Sequence, residues 1–370
     1  MPKTIIAKEY IRIVRYIEIA LVILLIPILY NFIPIDKKAS ETLFIDAKDK
    51  NTLVQSLENN GYGVTFVDKF MMQLSQTPTT GWYTLSNKDV TRYTFFSELY
   101  KYEAKTMDIR VYAGETHIEL IKRLANDIKL DRDILKTEYK IHSQFKEADI
   151  FAGHYRVARK ADEKAVMLYL FNESQKILDL FIEKTFHNKP DKFEIKVLLT
   201  IASIIQKESN AIEEMSSISA VIYNRLNKNM RLQMDSTLNY GSYSHTIVTP
   251  ERIKSDTSYY NTYKHKGLPP SPLGTISVNA LQAAMFPEKN KDLFFMLKPD
   301  GKHIFCETYD THLENIRTFR TYQKKREEEK EKLAKALEEA KKCRMDTNET
   351  NETNRSKSIK VVKSRLKESK

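Results

Sequence analysis

Glycine is scarce in this 370-residue chain, 9 in all, against a usual share of about 7%. That excludes a Gly-rich phosphate-cradling loop. It also makes each of Gly81, Gly153, Gly241 and Gly267 worth reading for backbone geometry. Cysteine is scarcer, with only Cys306 and Cys343. Two distant thiols build neither a disulfide framework nor a zinc finger, and they leave the redox compartment open. His303 and His312 lack metal-ligand spacing, so neither a metal nor another cofactor is expected. Acidic residues are in the minority, 49 against 60 Lys and Arg, for a net charge of +11. Such an excess favours anionic partners. Much of it lies near the two ends, and no RNP-type aromatic signature accompanies it, so no nucleic-acid partner is expected.

Long apolar runs are absent except for one. Ile17 to Ile35 reads IEIALVILLIPILYNFIPI, and 19 residues on a helix cover roughly the 30 Å hydrocarbon core of a bilayer. Pro27 lies inside the run and predicts a kink. Lys3, Lys8, Arg12 and Arg15 precede it and hold the N-terminus in the cytoplasm, so everything after Asp36 is exported. A cleaved signal peptide is the rival, but the small-residue cleavage site it needs is missing.

After the anchor, LFIDA at 43–47 reads as a strand and Thr52–Asn59 as an amphipathic helix. A similar pattern comes at 109–130, with IRVYA, a turn at Gly114-Glu115 and a helix from Thr116. Each unit closes on a Gly-aromatic-Tyr strand, GWYTLS at 81–86 and GHYRVA at 153–158. This is a weak duplication of a strand–helix–strand unit. Residues 164–187 form an apolar helix, and Pro190 marks the next boundary. From Ile316 the chain turns into charged helix, supported at i,i+4 by Glu328/Lys332, Glu331/Lys335 and Glu338/Lys342. Beyond Asp346 the polar composition predicts disorder.

The segment DKFEIKVLLTIASIIQKESN at 191–210 carries the chemistry. On a helix, Val197, Ile201, Ile204, Ile205 and Glu208 share one face. A carboxylate continuing an apolar stripe is desolvated, which favours its protonated form. A protonated carboxyl is what glycosidic bond cleavage requires. Downstream, MRLQMDSTLNYG at 230–241 and YYNTYKHKGLPPSPLG at 259–274 offer Tyr faces for sugar rings. Their Asn, Gln and Asp side chains suit hydroxyl and acetamido groups. A Tyr-rich strand packed on the core is the other reading of YNTY.

Five ordered blocks resemble one family: ASIIQKES at 202–209, VIYNRLNKNMRLQMDSTLNYG at 221–241, YNTYKHKGLPPSPL at 260–273, ALQAAMFP at 280–287, and FFM…HIF…H at 294–312. They are similar to the YceG/MltG-type endolytic murein transglycosylases. The resemblance implies an α+β architecture with a single transmembrane helix, LysM-like small α/β modules and an α+β catalytic domain. The catalytic glutamate of that domain ends an apolar helix. The implied boundaries are a cytoplasmic N-terminus at 1–16, the anchor at 17–35, a first periplasmic α/β module at 36–106 and a LysM-like module with connecting helix at 107–187. The catalytic domain then spans 188–320, a charged helix 321–345 and a disordered basic tail 346–370.

By the resemblance, Glu208 is the catalytic residue, and Gln206 stands where relatives often carry a second glutamate. Glu208-Ser209 also looks like the dyad of other lytic transglycosylases, in which the hydroxyl positions the acid; capping the helix end is the alternative. Gln233, Asp235, Asn261 and Tyr263 are the expected substrate-positioning residues, with Ser209 beside them. MRLQMDST lacks a proline usual in the family, and Ser271 stands where glycine is usual. The implied reaction cuts the MurNAc–GlcNAc β-1,4 bond, leaves 1,6-anhydro-MurNAc ends and terminates nascent strands. Partners are peptidoglycan glycan strands, inner-membrane lipid through 17–35 and, as a candidate, a peptidoglycan synthase. The alternatives are a muramidase using Asp235 as second carboxylate and a non-enzymatic wall-binding scaffold. In the tail, Asn348 and Asn351 fit an acidic-x-Asn-x-Thr glycosylation acceptor.

Overall fold

The structure is a computed structural model that describes residues 2–35, 42–74, 78–84, 91–99 and 103–345. The tail with Asn348 and Asn351, the end of GWYTLS and the chain around Asp36 lie outside the described residues. Two compact units divide at Lys291/Asp292, inside the stretch that the sequence assigns to one catalytic domain.

The first unit opens with α1 (Pro2–Tyr30). Its Glu9–Tyr30 portion is long and apolar enough to cross a membrane. The helix stops short of the apolar run, because 31–33 turn back on Ile28 to Tyr30 and Ile35 is buried in the next core. That core belongs to β1 (Thr42–Ile45), α2 (Lys50–Asn59), α3 (Phe66–Leu74), β2 (Gly81–Thr84) and α4 (Arg92–Glu98). β1 and β2 pair antiparallel, Phe44 opposite Trp82. A second module repeats the plan with β3 (Thr106–Val111), α5 (His117–Asp127), α6 (Arg132–His142) and β4 (Gly153–Ala158). β3 and β4 pair antiparallel, Ile109 opposite Tyr155. Each repeat is therefore strand–helix–helix–strand, with two helices where the sequence pattern showed one. α5 opens on a reciprocal cap between Thr116 and Glu119, the sequence signature of a helix start.

The only tryptophan ties the modules together. Trp82 lies in the core of the second module and donates from Nε1 to the Arg156 carbonyl at 2.7 Å. α7 (Glu163–Thr185) packs on α6 and on β1. Then α8 (Lys192–Glu208), α9 (Ile212–Asn227), α10 (Asp235–Leu238), α11 (Pro250–Ser255) and α12 (Val278–Met285) complete the unit. α8, α9 and α12 pack on one another, and α10 packs on α8. α8 is buried all round from Leu198 to Gln206, not along one stripe; a helix wrapped on every side needs no polar face. YNTY forms a loop of turns, not a strand.

The loop before α12 closes onto the second module. Gly114 donates to Thr275 O at 2.9 Å and Thr275 N to Glu115 O at 2.8 Å. A Cβ on Gly274 would stand 2.7 Å from the Glu115 carbonyl oxygen, so only glycine lets the two backbones approach this closely.

The second unit holds an antiparallel hairpin of β5 (Phe294–Leu297) and β6 (His303–Cys306), then α13 (Tyr309–Met345). Asp300-Gly301 makes the turn, with Gly301 at φ +82°. Glu328/Lys332 and Glu331/Lys335 do not close to ion-pair distance, and the side chains of the third expected pair are not all described.

Candidate active site

Glu208 is the last residue of α8. Asp191 caps the start of this helix and exchanges hydrogen bonds with Glu194, so the register is set from a strong N-cap. From there to Glu208 the helix is anchored sideways. Ser203 Oγ accepts from Leu273 N–H at 3.0 Å. Gln206 Oε1 accepts from the N–H and the hydroxyl of Ser277 at 3.1 and 2.6 Å. Lys207 Nζ donates to the Asn239 carbonyl at 3.2 Å. Gln206 therefore points at α12, away from Glu208. Lys207 is desolvated, which lowers its pKa, against the pull of Glu119 and Glu147.

The Glu208 carboxylate is half-buried. Its Oε1 accepts from the Ser236 N–H at 3.3 Å, so α10 begins directly over the carboxylate. Asp235, at the start of α10, is exposed and accepts at Oδ1 from the Tyr263 hydroxyl at 2.6 Å. Burial pushes the Tyr263 phenol well up, and the hydrogen bond to and charge of Asp235, then the charge of Glu208, push the same way. Tyr263 thus stays a neutral donor between two acids. Arg225 is buried to 7% exposure. Burial lowers its pKa, and Tyr263 and Glu208 oppose that shift electrostatically. Its guanidinium donates to the Leu232 carbonyl. It fastens the segment leading into Asp235 to α9.

The two loops are laced through Thr262. Gln233 N donates to Thr262 O and Met234 N to Thr262 Oγ1, both at 3.2 Å. Thr237 and Thr262 hydroxyls meet at 2.9 Å. Gln233 itself sits at φ +49° with an exposed side chain. Ser271, in the place usual for glycine, is buried, and its hydroxyl meets the Tyr260 hydroxyl at 2.5 Å. Tyr260 stacks on Tyr240 at 4.7 Å.

Of the residues singled out in the sequence, Glu208, Asp235 and Tyr263 come together, and Gln233 joins the same loop system. Two are placed otherwise. Ser209 accepts from Ala211 N–H at 3.0 Å and donates to Glu214 at 3.4 Å, shaping the turn into α9. Asn261 is fully buried, and its amide donates to the Ile253 and Asp256 carbonyls at 2.9 Å each. Two residues of the site escape sequence reasoning. One is Arg225. The other is Glu147, almost fully buried at 1%, which accepts from His117 Nδ1 at 2.5 Å and from the Tyr240 hydroxyl at 3.4 Å. Neither stands in a pattern that marks it.

Two βααβ modules, an apolar helix before them and a helical core in which α8 ends in a half-buried carboxylate make a mixed α and β fold among the described residues. The chain belongs to the YceG-like family, whose model matches residues 46–318. It is 36% identical over 124 residues to an endolytic murein transglycosylase of Bacillus subtilis, covering 34% of this chain and 34% of that one. It is 28% identical over 176 residues to an endolytic murein transglycosylase of Streptococcus pneumoniae, covering 46% of this chain and 31% of the other. The chain thus spans about a third of the length of these curated relatives. A crystal structure of a YceG-like protein from Listeria monocytogenes overlays with a TM-score of 0.48 at 24% identity, over 74% of this chain and 98% of that one.

Proposed function

We propose that this protein is an endolytic peptidoglycan lytic transglycosylase with Glu208 as its single acid/base residue. The observation that carries the reading is the Glu208 carboxylate, held at the end of a buried helix beneath the Ser236 N–H and beside the Asp235–Tyr263 pair, within the span of the family match. The names of the two curated relatives support the substrate class.

In this mechanism protonated Glu208 gives its proton to the oxygen linking MurNAc C1 to the next GlcNAc, and the C1–O bond breaks. The Glu208 carboxylate then takes the proton of the MurNAc C6 hydroxyl, whose oxygen bonds to C1. One carboxyl serves as acid and then as base, unlike glycosidases that flank the bond with two. The internal hydroxyl is already tethered beside C1, so its effective concentration far exceeds that of a free nucleophile. Asp235, Tyr263 and the Gln233 side chain hold the sugar hydroxyl and acetamido groups. Ser209 and Asn261 shape the loops and leave the sugar contacts to these three.

The Glu9–Tyr30 helix anchors the protein in the cytoplasmic membrane, N-terminus inside, with the catalytic part in the periplasm. The two βααβ modules act as LysM-like binding elements. Nascent strands are the substrate, and a peptidoglycan synthase is the partner in strand termination. The test is mass spectrometry of fragments released from purified, un-crosslinked glycan strands. Fragments lighter by one water than hydrolysis products are expected. Reducing MurNAc ends would replace this reading with a muramidase, and no cleavage in the presence or absence of membrane would replace it with a wall-binding scaffold.

A further inference from the structure

Exposed apolar side chains are ordinary when scattered and informative when grouped. They group where α1 meets the first module. Phe66 is 82% exposed, and Phe32, Ile33, Phe70 and Tyr93 each expose half of their surface or more. The backbone ties them to one place. Tyr93 N–H donates to the Asn31 carbonyl at 3.0 Å and Arg92 N–H to the Ile33 carbonyl at 3.1 Å. The Tyr30 hydroxyl meets Thr65 and Asp68, so Phe66, the first residue of α3, follows a residue that the end of α1 touches.

α3 has two faces. Asp68 and Met72, four apart, are buried. Phe66 and Phe70, also four apart, share the opposite face. The charges of the helix are both matched within the first module, Asp68 by Arg92 and Lys69 by Glu58 at 2.8 Å. The outward face is therefore apolar and without an unmatched charge.

The length of α1 sets the level of this face. Glu9–Tyr30 has 22 residues, about 33 Å of helix, against a hydrocarbon core of roughly 30 Å. Tyr30 then falls at the head-group boundary, where Tyr and Trp gather in membrane proteins. Residues bonded to 30–33 share that level, and so do the rings beside them. A helix lying in this boundary buries its apolar face about 5–10 Å deep.

We propose that Phe66, Phe70 and Tyr93, with Phe32 and Ile33, form a second membrane contact, through which the first module sits on the bilayer surface. The proposal rests on the membrane anchor given under Proposed function. It adds one face of a folded module to the lipid contact of a single helix.

The test uses the whole chain reconstituted in phosphatidylcholine vesicles. Flotation on a density gradient reads the anchor. Phe66→Trp adds a reporter to Trp82, which is buried and gives a constant background. In vesicles whose phosphatidylcholine is brominated in the upper acyl chain, the added emission is expected to fall to about half or less. High salt is expected to leave that value in place, because the contact is apolar. Tyr93→Trp is expected to behave alike and decides the matter should Phe66→Trp lower Tm. Phe193→Trp, exposed on α8 and outside the patch, is expected to keep its emission. Vesicles that float with neither patch reporter quenched would overturn the contact and leave the anchor standing. Equal quenching of Phe193→Trp would also overturn it, since the contact would not belong to this face. Unquenched emission that shifts to the blue, and returns when the protein is diluted in lipid, would put a second copy there instead. A chain that does not float would overturn the anchor, and the contact with it.

Discussion

At the scale of the residue, the Asp235–Tyr263 hydrogen bond is a contact of the candidate site that a single atom change can remove. Tyr263→Phe takes away the donor and leaves Asp235 exposed to water. We expect kcat/KM to fall about tenfold, with stability lowered by about 1 kcal/mol, read from cleavage kinetics and urea unfolding. An unchanged kcat/KM would remove Tyr263 from the machinery. A second residue-scale prediction concerns pH. Tyr155 donates to the Phe151 carbonyl at 2.7 Å, and burial raises its phenol from 10.0 to about 12. The folded state holds that proton after the unfolded chain has lost it. Its contribution is therefore complete below pH 10 and is lost as pH rises toward 12, by roughly 3 kcal/mol. Tyr155→Phe should flatten the fall in stability over that window, and an unchanged slope in alkaline urea titrations would refute it.

At the scale of the element, the loop at Gly274 lies backbone to backbone against the turn at Gly114-Glu115. Gly274→Ala places a Cβ 2.7 Å from a carbonyl oxygen that cannot swing aside. We expect a loss of about 2–3 kcal/mol, because the loop before α12 and the second module must separate to admit it; a change under 0.5 kcal/mol would show that the loop yields freely. Much of the element map is legible in the sequence. The start of α5 is written in Thr116 and Glu119, and both strand pairs are flagged by their Gly-aromatic-Tyr halves. α3, α4 and α6 are not; α3 and α4 are short, and α6 buries only Leu135 and Tyr139. The β5–β6 hairpin turns at Asp300-Gly301, a turn signal that the sequence reading leaves unused. Asn261 looks like a sugar contact in the sequence because its amide is visible there and its burial is not. Arg225 and Glu147 are invisible, since burial of a charge depends on partners distant in sequence.

At the scale of the whole molecule, the end of α1 is fastened to the first module. The Tyr30 hydroxyl donates to Asp68 at 3.1 Å, and Arg92 pairs with the same carboxylate at 3.1 Å while lying over the Tyr30 ring. The Pro34 carbonyl accepts from Arg92 at 2.6 Å. The described end of the apolar helix is therefore fastened to that module by Asp68 and Arg92, and Trp82 carries the connection into the second. An anchor joined in this way would fix the height of the modules above a membrane, while the Glu208 centre lies further along the same compact unit. The proposed function makes a single carboxyl at the end of α8 the group that breaks the glycan strand. The measurement that tests it most directly is cleavage of purified glycan strands by the whole chain carrying Glu208→Gln, beside the wild type and with Tm recorded for both. The account predicts a loss of at least about 100-fold with Tm within a few degrees of wild type. Cleavage at the wild-type rate by a folded Glu208→Gln protein would contradict it.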